Sequence, residues 1–242
     1  PTADFSADVT NGCGNLTVQF TDLSSSNTDS WSWDFGDGSP VSTEASPSHT
    51  YSSPGTYTVT LTATNGVGSD DEEKIDFIVV GTTPTAVTVT GGGTQCGGTM
   101  VLTASGGSGG TIYWQNITSN GTSTATASTS QTVSASGTYY FRARSVDGCW
   151  SNQGSATVTI NPLPTAVTVS GGGTQCGGTI TLTASGGTGG TIYWQNTTNN
   201  GTSNATASSS QIVSASGTYY FRAQSAAGCW GDQGSAIVTI NE

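Results

Sequence analysis

The sequence predicts an all-β protein made of three tandem β-sandwich domains. The main observation is the phrase Gly-Thr-Tyr, which occurs at residues 55–57, 137–139 and 217–219. Each copy opens a run in which polar and apolar residues alternate, and this period of two is typical of a half-buried strand. The copies are about 80 residues apart, which is enough for a small sandwich with a modest core.

The phrase also predicts how each of these strands is anchored. In the strand that begins at residues 55–57, the inward positions are Tyr57, Val59, Leu61 and Ala63. A tyrosine at the start of a late strand is typical of a tyrosine corner, in which the ring packs at the edge of the core and the hydroxyl bonds to backbone upstream. We therefore expect the same anchored strand in all three domains.

The first domain, residues 1–81, carries a specific motif. The stretch Trp33-Asp34-Phe35-Gly36-Asp37-Gly38 is followed by His49-Thr50-Tyr51 and by Pro54-Gly55-Thr56-Tyr57. In this order the residues closely resemble the PKD (polycystic kidney disease repeat) family. The resemblance implies an immunoglobulin-like sandwich of the kind found in extracellular proteins, where it serves as a spacer or in binding.

Residues 84–161 and 164–242 predict two copies of one further domain. Positions 84–161 and 164–241 align without a gap and are identical at 63 of 78 positions, which indicates an array rather than two specialised domains. In the first copy, strands are predicted at 86–90, 100–104, 111–115, 131–134, 137–144 and 155–160, with one more near 123–127. Prolines in the connector before each copy restrict the hinge and predict a semi-rigid rod.

Four segments of the second copy carry another resemblance. They are Gly171-Gly172-Gly173-Thr174-Gln175-Cys176, Ile192-Tyr193-Trp194, the run from Gly217 to Ala223, and Gly228-Cys229-Trp230. With their counterparts in the first copy, they look like the immunoglobulin-like surface-adhesin repeats of secreted Bacteroidota proteins. The two resemblances together imply three immunoglobulin-like β-sandwich domains in tandem, within a large cell-surface or extracellular protein of that phylum.

The distribution of charge limits the partners. Residues 1–81 hold twelve acidic residues against Lys74 alone, whereas the charges of the remaining residues sum to zero. Because the whole chain has only four basic residues, nucleic acid and anionic membranes are both disfavoured. No apolar run approaches the roughly 18 residues of a membrane span. A sequence that starts at Pro1 without Met leads us to expect a processed or excised segment.

The five cysteines predict an oxidising compartment. Cys96 and Cys149 are 53 residues apart, as are Cys176 and Cys229, and this repeated spacing predicts one disulfide within each copy. A zinc site is the weaker alternative, since each copy offers two cysteines and no histidine. Cys13 is expected to lack a partner in its own domain and to be an unpaired thiol, with pairing between chains as the alternative.

Two further sets of residues are candidate sites. The acidic run Asp70, Asp71, Glu72 and Glu73 offers oxygen ligands for Ca²⁺, the one cofactor considered, and a solvated acidic loop is the alternative. The asparagines of Asn-x-Ser/Thr sequons are candidates for glycosylation: Asn15, Asn116, Asn120, Asn196, Asn200 and Asn204.

No set of residues predicts catalysis. Ser108 lies in Gly106-Gly107-Ser108-Gly109-Gly110, which matches the nucleophile elbow of hydrolases. Its counterpart in the second copy is Thr188, and neither copy contains a histidine. His49 is the only histidine of the chain and falls where the PKD resemblance places a structural residue. A nucleophile, a base and an orienting acid cannot be assembled, so we expect no enzyme activity.

These observations favour a non-catalytic extracellular protein, either an adhesin stalk or the subunit of a surface filament. The alternative is a carbohydrate-binding or spacer region of a secreted polysaccharide-degrading enzyme. Neutral faces and sparsely charged edges predict self-association end to end, through terminal strands at residues 2–9 and 235–240. Glycans or surface proteins are further candidate partners, with stacking surfaces offered by the outward rings of Tyr113, Tyr140, Tyr193 and Tyr220.

Overall fold

The computed structural model describes all residues from Pro1 to Glu242 and contains β-strands but no helix. No element in it is therefore a helix that could span a membrane. The strands form three sandwiches in tandem, each with a three-stranded and a four-stranded sheet. The predicted all-β fold class is confirmed.

The first sandwich consists of seven strands. They are β1 (Phe5–Ala7), β2 (Asn11–Cys13), β3 (Leu16–Asp22), β4 (Ser30–Asp34), β5 (Ser48–Tyr51), β6 (Gly55–Asn65) and β7 (Gly68–Gly81). One sheet has the order β1-β3-β5 and the other the order β2-β7-β6-β4. The core between them contains Phe5, Val18, Phe20, Trp33 and Leu61, none of them more than 1% exposed.

The second sandwich also consists of seven strands. They are β8 (Val87–Thr90), β9 (Gly93–Cys96), β10 (Met100–Gly106), β11 (Thr111–Asn116), β12 (Ser130–Val133), β13 (Gly137–Arg144) and β14 (Gly154–Asn161). Its sheets have the orders β12-β10-β8 and β11-β13-β14-β9.

The third sandwich repeats this arrangement. Its strands are β15 (Val167–Ser170), β16 (Gly173–Cys176), β17 (Ile180–Gly186), β18 (Thr191–Asn196), β19 (Ser210–Val213), β20 (Gly217–Gln224) and β21 (Gly234–Asn241). Its sheets have the orders β15-β17-β19 and β16-β21-β20-β18. The same strand order in both copies is the expected result of their near-identity in sequence.

In every domain a short strand at the edge of the four-stranded sheet runs parallel to the last strand of that domain. β2 pairs with β7, β9 with β14 and β16 with β21. In each pair the last residues of the two strands lie opposite one another: Cys13 with Gly81, Cys96 with Asn161, and Cys176 with Asn241. The short strands thus place one cysteine of each domain beside the end of that domain.

The alternating strands after Gly-Thr-Tyr have the predicted faces. Val59, Leu61 and Ala63 on β6 are fully buried. The hydroxyl of Tyr57 donates to the carbonyl of Ser53 at 2.7 Å, and the hydroxyl of Tyr219 donates to the carbonyl of Ala215 at 2.8 Å. In both cases the acceptor lies four residues upstream, so the predicted tyrosine corner is confirmed in the first and third domains.

Three local predictions need correction. Residues 123–127 form no strand, since Ala127 makes only an isolated bridge to Tyr113. The strand β9 is absent from the predicted strands, because its four residues, flanked by glycines, are too few to show an alternation. The predicted contact strand at residues 235–240 is part of β21, which lies between β16 and β20. Both of its edges are paired, so it cannot add a neighbour's strand.

The chain divides into two compact units. One consists of Pro1–Thr90, Thr103–Gln131 and Tyr139–Ala156, and the other of Gly91–Leu102, Thr132–Thr138 and Thr157–Glu242. The second sandwich contributes residues to both units. Cys13 and Cys149 belong to the first unit, and Cys96 and Cys229 to the second.

Candidate functional site: the disulfide-bonded domain junctions

The cysteines pair across domains and not within them. Cys13 is bonded to Cys149, and Cys96 is bonded to Cys229, with Cα atoms 5.6 and 5.5 Å apart. Cys176 is free and exposed. The predicted pairs Cys96–Cys149 and Cys176–Cys229 and the predicted unpaired thiol of Cys13 are therefore wrong. The expectation that Cys13 has no partner in its own domain is confirmed.

The third domain shows why a pair within one domain cannot form. Cys176 lies opposite Asn241, at the end of β21. Cys229 lies in the loop after β20, where Trp230 bridges to Gln224. Because β20 and β21 are antiparallel, this loop is near the beginning of β21. The eight residues of β21 span roughly 25 Å, whereas a disulfide requires Cα atoms within about 7 Å.

Cys13, Cys96 and Cys176, which we call the edge cysteines, share one backbone geometry. In each domain the amide after the edge cysteine donates to the carbonyl of the last residue of the domain's last strand. These bonds are Gly14 N to Gly81 O at 3.2 Å, Gly97 N to Asn161 O at 2.9 Å, and Gly177 N to Asn241 O at 2.8 Å. The register is therefore the same whether the cysteine is bonded or free.

Cys149 and Cys229, which we call the loop cysteines, are held by a tight loop. The amide of Cys149 donates to Oγ of Ser145 at 3.1 Å, and its carbonyl accepts from the amide of Ser145 at 2.9 Å. Gly148 has a φ of 89°, which favours glycine at this position. The loop at residues 225–229 repeats these bonds. Both loop cysteines are only 1% exposed.

The first junction has a polar contact beside its disulfide. The amide of Thr82 donates to Oδ2 of Asp147 at 2.9 Å. A Cβ added to Gly81 would lie 2.6 Å from Sγ of Cys149 and 2.8 Å from Cβ of Asp147. Glycine at position 81 therefore lets the loop approach the end of β7. A groove of about 310 Å³ beside this contact is lined by residues that include Cys13 and Asp147.

The sequence holds a signal for this pairing that spacing alone does not use. Every edge cysteine is followed by glycine, whereas both loop cysteines stand between glycine and tryptophan. Three cysteines of one type and two of another indicate that pairs form between the types and that one edge cysteine remains. The equal spacing of 53 residues is a consequence of the duplication, not of a bond.

The motif residues of the first domain form a structural cluster. The ring of His49 stacks on Phe35 with centroids 4.0 Å apart, and its Nε2 is 2.8 Å from Oδ2 of Asp37. Burial acts to raise the pKa of Asp37, but hydrogen bonds from Ser39 and His49 outweigh it and hold that pKa below its usual value. The hydroxyl of Tyr51 donates to the carbonyl of Phe35 at 3.1 Å, and burial raises its pKa. These contacts engage His49 within the fold.

The side chains of the acidic run at residues 70–73 do not all point to the same side of the sheet. It lies on β7, where successive side chains point to opposite faces. Oδ2 of Asp70 accepts from the amide of Ala3 at 2.8 Å, and Oε1 of Glu72 is 4.0 Å from Nζ of Lys74. The structure gathers no group of three or more acidic, histidine or cysteine side chains suited to a metal ion. Calcium binding at this run stays a prediction.

The candidate asparagines are all exposed. Four of them have φ values between 52° and 54°: Asn116 and Asn196 end β11 and β18, and Asn120 and Asn200 lie in the turns that follow. Exposure is what a glycan requires, and their glycosylation stays a prediction.

Two of the outward tyrosines, Tyr113 and Tyr193, each pack against a tryptophan ring. The ring of Tyr113 meets that of Trp150 at 65° with centroids 5.8 Å apart, and the guanidinium of Arg142 is 5.7 Å from the Trp150 ring. Nε of Arg142 also donates to the carbonyl of Ser151 at 2.7 Å. Because the two rings are steeply inclined, they do not form one flat stacking surface. Glycan binding by these rings stays a prediction.

Two domain families match parts of the chain. The PKD domain family matches residues 1–80, and the family described as Ig-like domain, CHU_C associated, matches residues 84–162. The resemblances predicted for these segments are therefore confirmed. Residues 164–241 repeat the second segment at 63 of 78 positions.

Individual proteins are similar to shorter parts of the chain. Collagenase ColA of Bacillus cereus is 46% identical over 50 residues, which are 21% of this chain and 5% of the collagenase. A protein of Methanosarcina mazei solved by NMR in solution is 38% identical, over 32% of this chain and 52% of that one, with a TM-score of 0.27. The fibronectin(III)-like modules of Clostridium thermocellum CbhA are 14% identical, over 66% of this chain and 95% of theirs, with a TM-score of 0.38. The chain thus spans a small part of the collagenase and about half of the archaeal protein.

Proposed function

We propose that this segment, a PKD domain followed by two Ig-like domains, is a non-catalytic structural part of an extracellular protein, serving as an adhesin stalk or as the subunit of a cell-surface filament. Both domain families and the disulfides are consistent with an extracellular location. An origin in Bacteroidota is part of this proposal.

The observation that carries the proposal is the bonding of each domain to the next. The disulfides span 136 and 133 residues, and the loops they close overlap between Cys96 and Cys149. Loops of this length correspond to about 4–5 kcal/mol each in the chain-entropy model, whereas a hydrogen bond such as Thr82 to Asp147 contributes about 1 kcal/mol. Covalent bonds therefore dominate the junctions. Junctions of this kind suit a stalk that bears tension.

The residues considered for catalysis support the same proposal. His49 is engaged by Phe35 and Asp37, and Ser108 lies in an exposed turn after β10. Without an assembled nucleophile and base, turnover has no physical basis. A panel of peptidase, esterase and glycosidase substrates tests this part of the proposal. We expect no turnover above that of buffer with the oxidised chain, and turnover that co-purifies with it through two columns would overturn the proposal.

A second candidate function is favoured by the collagenase match. A segment 46% identical to this chain over 50 residues occurs in a collagenase, so we also consider a spacer or carbohydrate-binding region beside a catalytic domain. Sedimentation of the oxidised chain with insoluble cellulose, chitin and collagen separates the candidates. The stalk proposal predicts the same sedimentation with and without the matrix, whereas saturable binding to one matrix would favour the second function.

End-to-end self-association is the finer form of the stalk proposal. Its support is the sparse charge of the second domain, which has only Arg142, Arg144 and Asp147 between residues 84 and 163. The edge strands available for such contacts in the third domain are β15, β16, β18 and β19. Light scattering and negative-stain images of the C176S variant, which excludes disulfide dimers through that thiol, test this form. We expect filaments that grow with concentration, and a monodisperse 24.3 kDa particle at every concentration would overturn it.

A further inference from the structure

Cys176 has the backbone geometry of two cysteines that are disulfide-bonded. Like Cys13 and Cys96, it ends a short parallel strand opposite the last residue of its domain. The amide after it donates to that residue at 2.8 Å, against 3.2 and 2.9 Å in the two bonded cases. We propose that Cys176 forms a disulfide with the loop cysteine of a further Ig-like repeat on the C-terminal side of the third domain.

The direction follows from the two junctions in the structure. Cys13 of the first domain is bonded to Cys149 of the second, and Cys96 of the second is bonded to Cys229 of the third. Each edge cysteine therefore reaches the loop cysteine of the domain that follows it in the chain. By the same rule, the partner of Cys176 belongs to the domain after the third.

A second copy of the same segment does not fit as the partner. Its loop cysteines, Cys149 and Cys229, are both already bonded and only 1% exposed. The partner therefore needs a loop cysteine of its own.

The two bonded junctions show what the partner must contain. Both loops have the sequence Ser-x-x-Gly-Cys-Trp, with the cysteine amide bonded to Oγ of the serine. The residue that binds Thr82 in the first junction, Asp147, is replaced by Ala227 in the second. The second junction therefore keeps the disulfide although it lacks this side-chain contact. What the two junctions have in common is the loop with its cysteine. The partner is a domain that presents such a loop.

Formation of the bond consumes an oxidant of the disulfide class. The Cys176 thiolate attacks a sulfur of a small-molecule disulfide such as oxidised glutathione and releases one thiolate. The thiolate of the loop cysteine then attacks the Cys176 sulfur of this mixed disulfide and releases the second thiolate. Two protein thiols lose two electrons and two protons, and the oxidant is reduced to two thiols. The inference is independent of whether the segment is an adhesin stalk.

The test extends the whole chain by one domain. Residues 162–242 are added a second time after Asn241, and the protein is oxidised in a glutathione redox buffer. Peptide mapping without reduction is expected to find Cys176 bonded to the added copy of Cys229, and the added copy of Cys176 to be the single free thiol. In the matched control the added copy carries Cys229→Ser, and Cys176 is expected to remain titratable.

Two results would overturn the inference. One is a free Cys176 in the extended protein while its added domain shows a cooperative thermal transition. The other is a bond between the Cys176 residues of two chains, which would make a second copy the partner. If the added domain does not fold, residues 84–161 replace it, joined through Pro162-Leu163 because Pro84 occupies the position of Pro164. Cys176 is then expected to bond to the added copy of Cys149, with the same two contradicting results. Hydrolase activity or binding to a matrix would overturn the proposed function without changing the pairing of Cys176. The two proposals can therefore fail separately.

Discussion

Cys13 and Cys149 are 136 positions apart in the sequence, and the disulfide between them joins the end of a short strand in one sandwich to a loop of the next. The bond between Cys96 and Cys229 repeats this relationship one domain later. Each bond closes a junction between domains, and neither lies within a single sandwich.

Glycine at position 81 is required by the first junction. In Gly81→Ala the new Cβ would lie 2.6 Å from Sγ of Cys149, closer than real side chains allow. We expect a loss of about 1–3 kcal/mol from the stability of this unit, measured as a lower urea midpoint by tryptophan fluorescence. Gly68→Ala is the control, because nothing lies within 4 Å of its Cβ position. Equal midpoints for the two variants would contradict the close approach.

The tyrosine corner of the third domain contributes a measurable hydrogen bond. Tyr219→Phe removes the bond from its hydroxyl to the carbonyl of Ala215 at 2.8 Å and keeps the ring. The expected loss is about 0.5–1.5 kcal/mol, observed as a lower denaturation midpoint. Tyr220→Phe removes a neighbouring hydroxyl that faces the other side of β20, and it is expected to have a smaller effect. A larger loss in Tyr220→Phe would show that the corner does not anchor this strand.

The pKa of Asp37 makes the first domain sensitive to acid. Hydrogen bonds from Ser39 and His49 hold this pKa below its usual value in the folded chain, against the opposing effect of burial. The ionised carboxylate therefore stabilises the fold fully above its unfolded value of about 4, and this contribution is lost as the pH falls through the lower folded value. We expect Asp37→Asn to lower the urea midpoint at about pH 6 and to have little effect near pH 2.

Asp71→Asn is the matched control for this pH dependence. Its carboxylate is exposed and lies on β7, away from the histidine. If the urea midpoints of wild type and Asp37→Asn differ by the same amount from about pH 6 to pH 2, the hydrogen bonds to Asp37 do not stabilise its ionised form.

The overlapping disulfides limit how far the chain can be extended. The shortest covalent path from Pro1 to Glu242 passes through both bonds and through the residues between Cys96 and Cys149. It contains about 80 residues, or roughly 270 Å when fully stretched, against roughly 840 Å for the reduced chain. Single-molecule force spectroscopy through the two termini measures this length. An extension well above 270 Å without reductant would contradict the overlap.

Much of the fold could be predicted because it is local. The alternation after Gly-Thr-Tyr reports which side chains of β6, β13 and β20 face the core, and the upstream acceptors of Tyr57 and Tyr219 lie within four residues. The duplication then transfers each strand of the second domain to the third. These features depend on residues that are neighbours in the sequence, so they can be predicted from one sequence.

The pairing of the cysteines could not be predicted in this way, because it depends on which end of a sandwich each cysteine reaches. Cys176 is placed by the parallel strand β16, whose four residues, flanked by glycines, are too few to give a periodic signal. Without β16, equal spacing suggested a bond to Cys229, although β21 separates the two positions by its full length. The same missing strand concealed the junctions, and with them the candidate site.

Tryptic mapping of the unreduced chain tests the pairing most directly. Cleavage after Lys74, Arg142, Arg144 and Arg222 places Cys13 in residues 1–74, Cys96 in 75–142, Cys149 and Cys176 in 145–222, and Cys229 in 223–242. Pairing between consecutive domains predicts two separate species, in which 1–74 is joined to 145–222 and 75–142 is joined to 223–242. Pairing within domains would give one species that joins 75–142, 145–222 and 223–242 and would release 1–74 as a free peptide, and that result would contradict the account.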